Sequence, residues 1–173
     1  MKIAVSGTHR TGKTTLVEKL KEALPDYVCI NEAYYQLEEA GHLFSEIPTV
    51  EDYILQLEYS SKQIVNSGEN VIFDRCPVDM LAYLHAIDDL EPANVQSLYQ
   101  SVQNVMAELD LLVFIPIEEP DLIGCPESAL PELRFQVNDI LNDWIWDFDV
   151  EVIEVHGALL TRRDQVMKRM LIT

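Results

Sequence analysis

Short apolar runs alternate with longer amphipathic stretches along this chain. Residues 2–6 (KIAVS), 27–31 (YVCIN), 70–74 (NVIFD), 111–115 (LLVFI) and 150–155 (VEVIEV) are brief and rich in β-branched and aromatic side chains, which predicts strands. Between and after them, 13–24, 50–67, 78–87, 93–108, 133–148 and 160–171 carry the three-to-four-residue spacing of helices. In the first of these Leu16, Val17, Leu20 and Leu24 share a face, and Pro25 ends it. Gly68 is placed to stop the second. Strands apolar on both faces and separated by helices predict a parallel sheet with helices on either side: an α/β, three-layer fold with right-handed crossovers. No repeat, low-complexity tract or linker divides the 173 residues, so 1–173 reads as one domain.

Ligands of such sheets sit beyond the carboxyl ends of the strands. The first strand runs into Gly7-Thr8-His9-Arg10-Thr11-Gly12-Lys13-Thr14, which matches G-x-x-x-x-G-K-[ST] and opens the first helix. The glycines let the backbone bend so that successive N–H groups converge on phosphate oxygens, and the helix N-terminus adds partial positive charge. Lys13 reaches the β- and γ-phosphates, and the Thr14 hydroxyl ligates Mg²⁺. Gly7, Thr8, His9, Arg10, Thr11, Gly12, Lys13, Thr14 and Thr15 are therefore the candidate cofactor-binding residues, and Mg²⁺-ATP is the expected cofactor.

The third strand ends in Asp74-Arg75. An aspartate there can hold Mg²⁺ or orient a substrate hydroxyl, and Arg75 can pair with a phosphate. The plainer alternative is a surface ion pair. ATP-hydrolysing motors place Asp-Glu at this point, and GTP-binding switches carry N-K-x-D after a later strand. This chain has neither, which favours transfer to a bound hydroxyl over hydrolysis. Glu32, after the second strand, is a candidate to accept the acceptor's proton, or else a first-turn acid favoured by a helix dipole.

The formal charge of −18, from 30 acidic and 12 basic residues, argues against nucleic-acid and anionic-membrane partners. It also makes any basic residue near a motif notable. Cys29, Cys76 and Cys125 are scattered and lack metal-ligand spacing, as do the four histidines; free thiols in a reducing cytoplasm are the expectation. No run approaches the roughly 20 apolar residues of a membrane span. The glycine motif interrupts the first apolar stretch too early for a signal peptide. The apolar faces suit either a core or contact with a second copy.

Three segments, 3–16 (IAVSGTHRTGKTTL), 28–33 (VCINEA) and 71–84 (VIFDRCPVDMLAYL), together resemble the nucleoside and nucleotide kinase branch of P-loop proteins. The nicotinamide-riboside-kinase-like family, which includes the kinase domain of bacterial NAD regulators, is the nearest match. The resemblance implies a five-stranded sheet in the order 2-3-1-4-5 and phosphate transfer from ATP to a nucleoside-like hydroxyl. It implies that Glu32 and Asp74 face the acceptor, with Asp79 either beside it or a plain helix-start acid. Lys13, Glu32, Asp74, Arg75 and Arg134 are the candidate catalytic residues, and Thr14 and Asp74 the metal ligands. Either Glu32 or Asp74 serves as the base.

Such kinases carry arginines on a mobile lid. The equivalent segment here, about 116–134, is acidic and proline-rich, and Arg134 at its end is the single lid arginine, with Arg10 as a substitute. Gly157 and Arg162-Arg163 fall where similar kinases approach the adenine, although surface charges on a terminal helix are the plainer reading. The arginine-poor lid motivates an alternative function, an ATP-binding regulatory module with little or no transfer. Slow NTP hydrolysis is a third.

Overall fold

The computed structural model describes residues 1–87 and 92–171. A central sheet joins β1 (Lys2–Ser6), β2 (Val28–Ile30), β3 (Val71–Asp74), β4 (Leu111–Phe114) and β5 (Val152–Glu154). All pairings are parallel, in the order β2-β3-β1-β4-β5, as the resemblance implied. The helices are α1 (Lys13–Ala23), α2 (Ala33–Glu39), α3 (Val50–Asn66), α4 (Pro77–Ala86), α5 (Pro92–Met106), α6 (Pro131–Trp144) and α7 (Leu159–Met170).

The alternation of side chains along a strand accounts for the apolar runs. Ile3, Val5, Ile72, Leu111 and Val113 face one layer with Leu16 and Leu20 of α1 and Val166 of α7. Ala4, Val71, Phe73, Leu112 and Phe114 face the other, with α3, α4, α5 and α6. Burying both faces fixes the register, because a one-residue slip would exchange the two sets.

Helix starts follow local chemistry. Thr49 caps α3 in a reciprocal box with Asp52, and Pro77 opens α4 behind a box formed by Cys76 and Asp79. Residues 145–148, expected as the end of one long helix, leave α6 as a 3-10 turn (Ile145–Asp147). Trp144 packs edge-on against Tyr99 while Trp146 stays half exposed, which separates the two rings. Among the described residues no helix is long and apolar enough to cross a membrane.

Candidate active site

The loop between β1 and α1 needs its glycines. A Cβ on Gly7 would stand 2.5 Å from the Ile115 carbonyl oxygen, at a φ of 146°. Gly12 has a φ of 91° where the chain turns into α1. The loop carbonyls are held by the motif's own lysine and by three arginines from distant parts of the chain. Arg75 Nη1 donates to the Gly7 carbonyl at 3.1 Å, and Lys13 Nζ to that of Thr8 at 2.6 Å. Arg134 donates through Nε to His9 (3.0 Å) and through Nη2 to Arg10 (3.1 Å). Arg162 Nη1 donates to Thr11 at 2.7 Å. With the carbonyls of Gly7 to Thr11 turned outward onto cations, the first-turn amides of α1, which have no intrahelical acceptor, face the trough.

Asp79 anchors the start of the loop. Its carboxylate is wholly buried; Oδ1 accepts from Gly7 N (2.8 Å) and the Ser6 hydroxyl (3.0 Å), and Oδ2 from Cys76 N (2.9 Å). Sequence reasoning offered it as an acceptor ligand or a plain helix-start acid. It is a helix-start acid whose second oxygen ties down the phosphate loop.

Asp74 and Thr14 lie together, the threonine hydroxyl hydrogen-bonding to the carboxylate. Burial, followed by the neighbouring Glu32 charge, pushes Asp74 above its ordinary pKa, against the pull of Thr14. Its Oδ1 is buried without a partner. An orphaned carboxylate oxygen beside a hydroxyl is a hard-oxygen donor pair of the kind that Mg²⁺ takes with phosphates. Among the described residues no group of three His, Cys, Asp or Glu side chains forms a dedicated metal cage.

Glu32 N-caps α2 in position but makes no side-chain cap; its Oε2 instead pairs with Arg75 Nε at 2.9 Å. Burial alone would raise the Glu32 pKa, yet the Arg75 and Lys13 charges bring it below the ordinary value. Arg75 takes a φ of 72°, costly for a residue with a Cβ, and is pinned there by Arg75 N donating to the Val5 carbonyl. Burial works against its charge, but Glu32, Tyr83, Asp79 and Asp74 hold its pKa well above normal. Burial and the Arg75 charge bring Lys13 down to about 8.

Arg134 departs from the expectation of a lid arginine aimed at phosphate. It is 1% exposed, and its third nitrogen, Nη1, pairs with Asp121 at 2.6 Å. Its donors are thus directed to two loop carbonyls and one carboxylate, so it supports the loop from behind. Arg10 is exposed, with Nε on the Gly124 carbonyl, and borders the phosphate trough. Arg162, read as surface charge from the sequence, is buried and also pairs with Glu118 at 3.1 Å, which in turn accepts from Gly157 N. Arg163 pairs with its neighbour Asp164 and lies outside the site.

Three hollows join along this edge of the sheet. A trough of about 690 Å³ runs over Gly12 to Thr15 and reaches Glu32 and Arg75. On one side it meets a cleft of about 390 Å³ between Ile117, Ile123, Gly157 and Leu159. On the other it shares His9, Glu32, Tyr34 and Arg75 with a cleft of about 310 Å³. That third cleft is walled by Tyr34, Phe44, Tyr53 and Tyr83, and also carries Glu46, Asp52 and Gln56. Tyr34 stacks on Phe44 at 4.4 Å and Tyr53 on Tyr83 at 5.0 Å. No local pattern announces this wall, because Tyr34 of α2, Phe44 of the following loop, Tyr53 of α3 and Tyr83 of α4 converge only through packing.

Solved structures share this architecture. A deoxyadenosine kinase from M. mycoides with bound dATP superposes with a TM-score of 0.63 at 18% identity, covering 99% of this chain and 100% of that one. A thymidylate kinase from Ehrlichia chaffeensis gives 0.70 at 16%, covering 98% of each. An NadR protein in complex with NAD and AMP-PNP gives 0.64 at 22%, over 98% of this chain and 48% of that one. At these identities the likeness is one of fold. A search of curated proteins finds no sequence match. A family model does match, across residues 2–162, and on that match the chain belongs to the AAA domain family.

Proposed function

We propose that the protein is an ATP-dependent phosphotransferase acting on a hydroxyl of a small nucleoside-like metabolite. The observation that carries this reading is the junction of the phosphate trough with the aromatic, acid-bearing cleft at Glu32 and Arg75. A donor bound on the loop and an acceptor in the cleft meet there. The neighbours described as deoxyadenosine and thymidylate kinases support the same reading.

Phosphoryl transfer is mostly positioning and electrostatics. The loop amides and Lys13 bind the phosphate oxygens and neutralise developing charge. Mg²⁺ would be held by Thr14 and Asp74 and would supply further neutralisation of the phosphates. Glu32 borders both the trough and the cleft, so it orients the acceptor hydroxyl and accepts its proton; Asp74 borders neither but lies beside Thr14 with an unpartnered oxygen, and is assigned to the metal. Arg75 fixes the Glu32 carboxylate. The cleft carries Glu32, Glu46 and Asp52 against one cation, Arg75, already paired with Glu32. This balance disfavours an acceptor that itself bears phosphate and favours an unphosphorylated nucleoside-like alcohol.

ADP formation from Mg²⁺-ATP across nucleosides, nicotinamide riboside and nucleoside monophosphates, with Lys13→Ala as control, tests this. ADP that appears with one unphosphorylated acceptor and is lost in the variant is expected. A second reading, an ATP-binding regulatory module, is favoured by the commitment of Arg75, Arg134 and Arg162 to loop carbonyls. Tight ATP binding without turnover on any acceptor would establish it in place of the first.

A further inference from the structure

His9 stands in the phosphate loop, yet its side chain is turned away from the trough floor and into a chain of hydrogen bonds. Its Nε2 lies 2.6 Å from the Ala129 carbonyl oxygen, in the 3-10 turn Glu127–Ala129. Its Nδ1 lies 2.7 Å from the Tyr83 hydroxyl, and that hydroxyl also receives the His9 backbone N–H at 2.9 Å. A carbonyl can only accept, so Nε2 carries the proton. Burial, with Arg75, Lys13 and Arg134 nearby, brings His9 down to about 4, so the ring is neutral near pH 7 and Nδ1 accepts. The Tyr83 hydroxyl therefore donates to Nδ1 and accepts from His9 N. Every donor in the chain has one direction.

Each end of this chain belongs to a different wall of the cleft. Tyr83 forms the floor of the acceptor cleft, stacked on Tyr53 and lying 5.6 Å beneath the Arg75 guanidinium. Ala129 belongs to the segment that roofs the same cleft, with Ser128, Leu130 and Leu133. Cys125, in that segment, donates to the same Ala129 carbonyl at 3.2 Å and lies 3.9 Å from His9 Nε2. The floor and the roof of the cleft are thus bonded to one residue of the phosphate loop.

We infer that His9 is a positioning residue that ties the seating of the 125–130 segment over the acceptor to the shape of the phosphate loop. Its kinetic consequence rests on the kinase reading; its structural consequence does not. Glutamine in its place reaches the Nε2 position with a donor, whereas asparagine offers an acceptor only at the Nδ1 position.

The experiment pairs two readouts on His9→Ala, His9→Gln and His9→Asn. Iodoacetamide labelling of Cys125, followed by peptide mass, reports opening of the segment, with Cys29 as internal reference. Cys125 should label about fivefold faster in the alanine and asparagine variants and return to the wild-type rate in the glutamine variant. On the acceptor that the ADP-formation panel identifies, kcat should fall about 10²-fold in His9→Ala while Kd for AMP-PNP moves less than about threefold, and glutamine should restore kcat. An unchanged Cys125 rate in His9→Ala overturns the inference, as does a loss of AMP-PNP affinity in step with kcat. A wild-type protein that phosphorylates no acceptor overturns the functional reading instead, and the labelling arm still decides the role of His9.

Discussion

Glu32 Oε2 and Arg75 Nε meet at 2.9 Å at the point where the two halves of the site join. The pair links the end of β2 to the end of β3, and Arg75 passes the connection on to the Gly7 carbonyl. Glu32→Gln keeps the shape but removes the carboxylate proposed to accept the proton. It should lower kcat by about 10²–10⁴-fold with AMP-PNP affinity changed less than about threefold. Single-turnover kinetics with the identified acceptor measure it, and an unchanged rate would remove Glu32 from the chemistry. Arg75→Ala should instead cost about 3–5 kcal/mol of stability in urea unfolding, because Glu32 and the nearby buried Asp79 lose their cation.

Lys13, brought down to about 8 by burial and Arg75, predicts proton-linked nucleotide binding. Below that pH the ammonium is charged and suits phosphate; above it the free protein has lost the proton and must regain it on binding. ATP affinity should therefore fall as pH rises from about 7 to about 9, with net proton uptake at the upper end. Calorimetry at about pH 8.5 in two buffers of different ionisation enthalpy reads the uptake directly. Lys13→Met should abolish it, and uptake that persists in that variant would assign it elsewhere.

Asp79→Ala should be more damaging than any exposed acid replacement. It strands Gly7 N, the Ser6 hydroxyl and Cys76 N in a buried place. A loss of about 3–5 kcal/mol, together with weakened AMP-PNP binding, is expected. Denaturant midpoints and calorimetry on the same preparation check both, and a variant with native stability would contradict the anchoring role.

Gly7→Ala and Gly68→Ala form a matched test of the loop. The first drives a Cβ to 2.5 Å from the Ile115 carbonyl at positive φ, whereas the second meets nothing within 4 Å and needs no positive φ. Gly7→Ala should lose nucleotide binding and more than about 1 kcal/mol of stability, while Gly68→Ala should shift stability by less than that. Equal midpoints for the two would refute the close approach of loop and β4.

Asp74→Asn, with the buried oxygen no longer charged, should raise the Mg²⁺ concentration that supports half-maximal ADP formation by about tenfold. An unshifted Mg²⁺ dependence would leave the metal to Thr14 and the phosphates.

The fold was legible because the sheet is buried on both faces: runs such as Ile72-Phe73 and Leu111 to Phe114 admit few other placements. The helix α2 was implied only by the reading of Glu32 as a first-turn acid, since seven residues carry too little periodicity to give its extent. The glycine motif was local and thus visible, as was the Asp74-Arg75 step. The remaining parts of the site depend on distance in sequence. Arg162 looks like a charge on a terminal helix until α7 packs beside α1, and Arg134 looks solvated until the loop is seen above it. Asp79 reads as an ordinary helix cap because one of its oxygens is doing that work.

Carbonyls of a loop that spans only Gly7 to Gly12 are satisfied by residues 75, 134 and 162. A ribosome delivers that loop well before its last clasp. Until residue 162 has left the exit tunnel the nascent chain holds the motif without the means to keep its shape. Nucleotide affinity then becomes a report on the docking of residues 75, 134 and 162 rather than on the presence of the motif, and a ligand that binds the clasped loop would stabilise the folded chain over earlier intermediates.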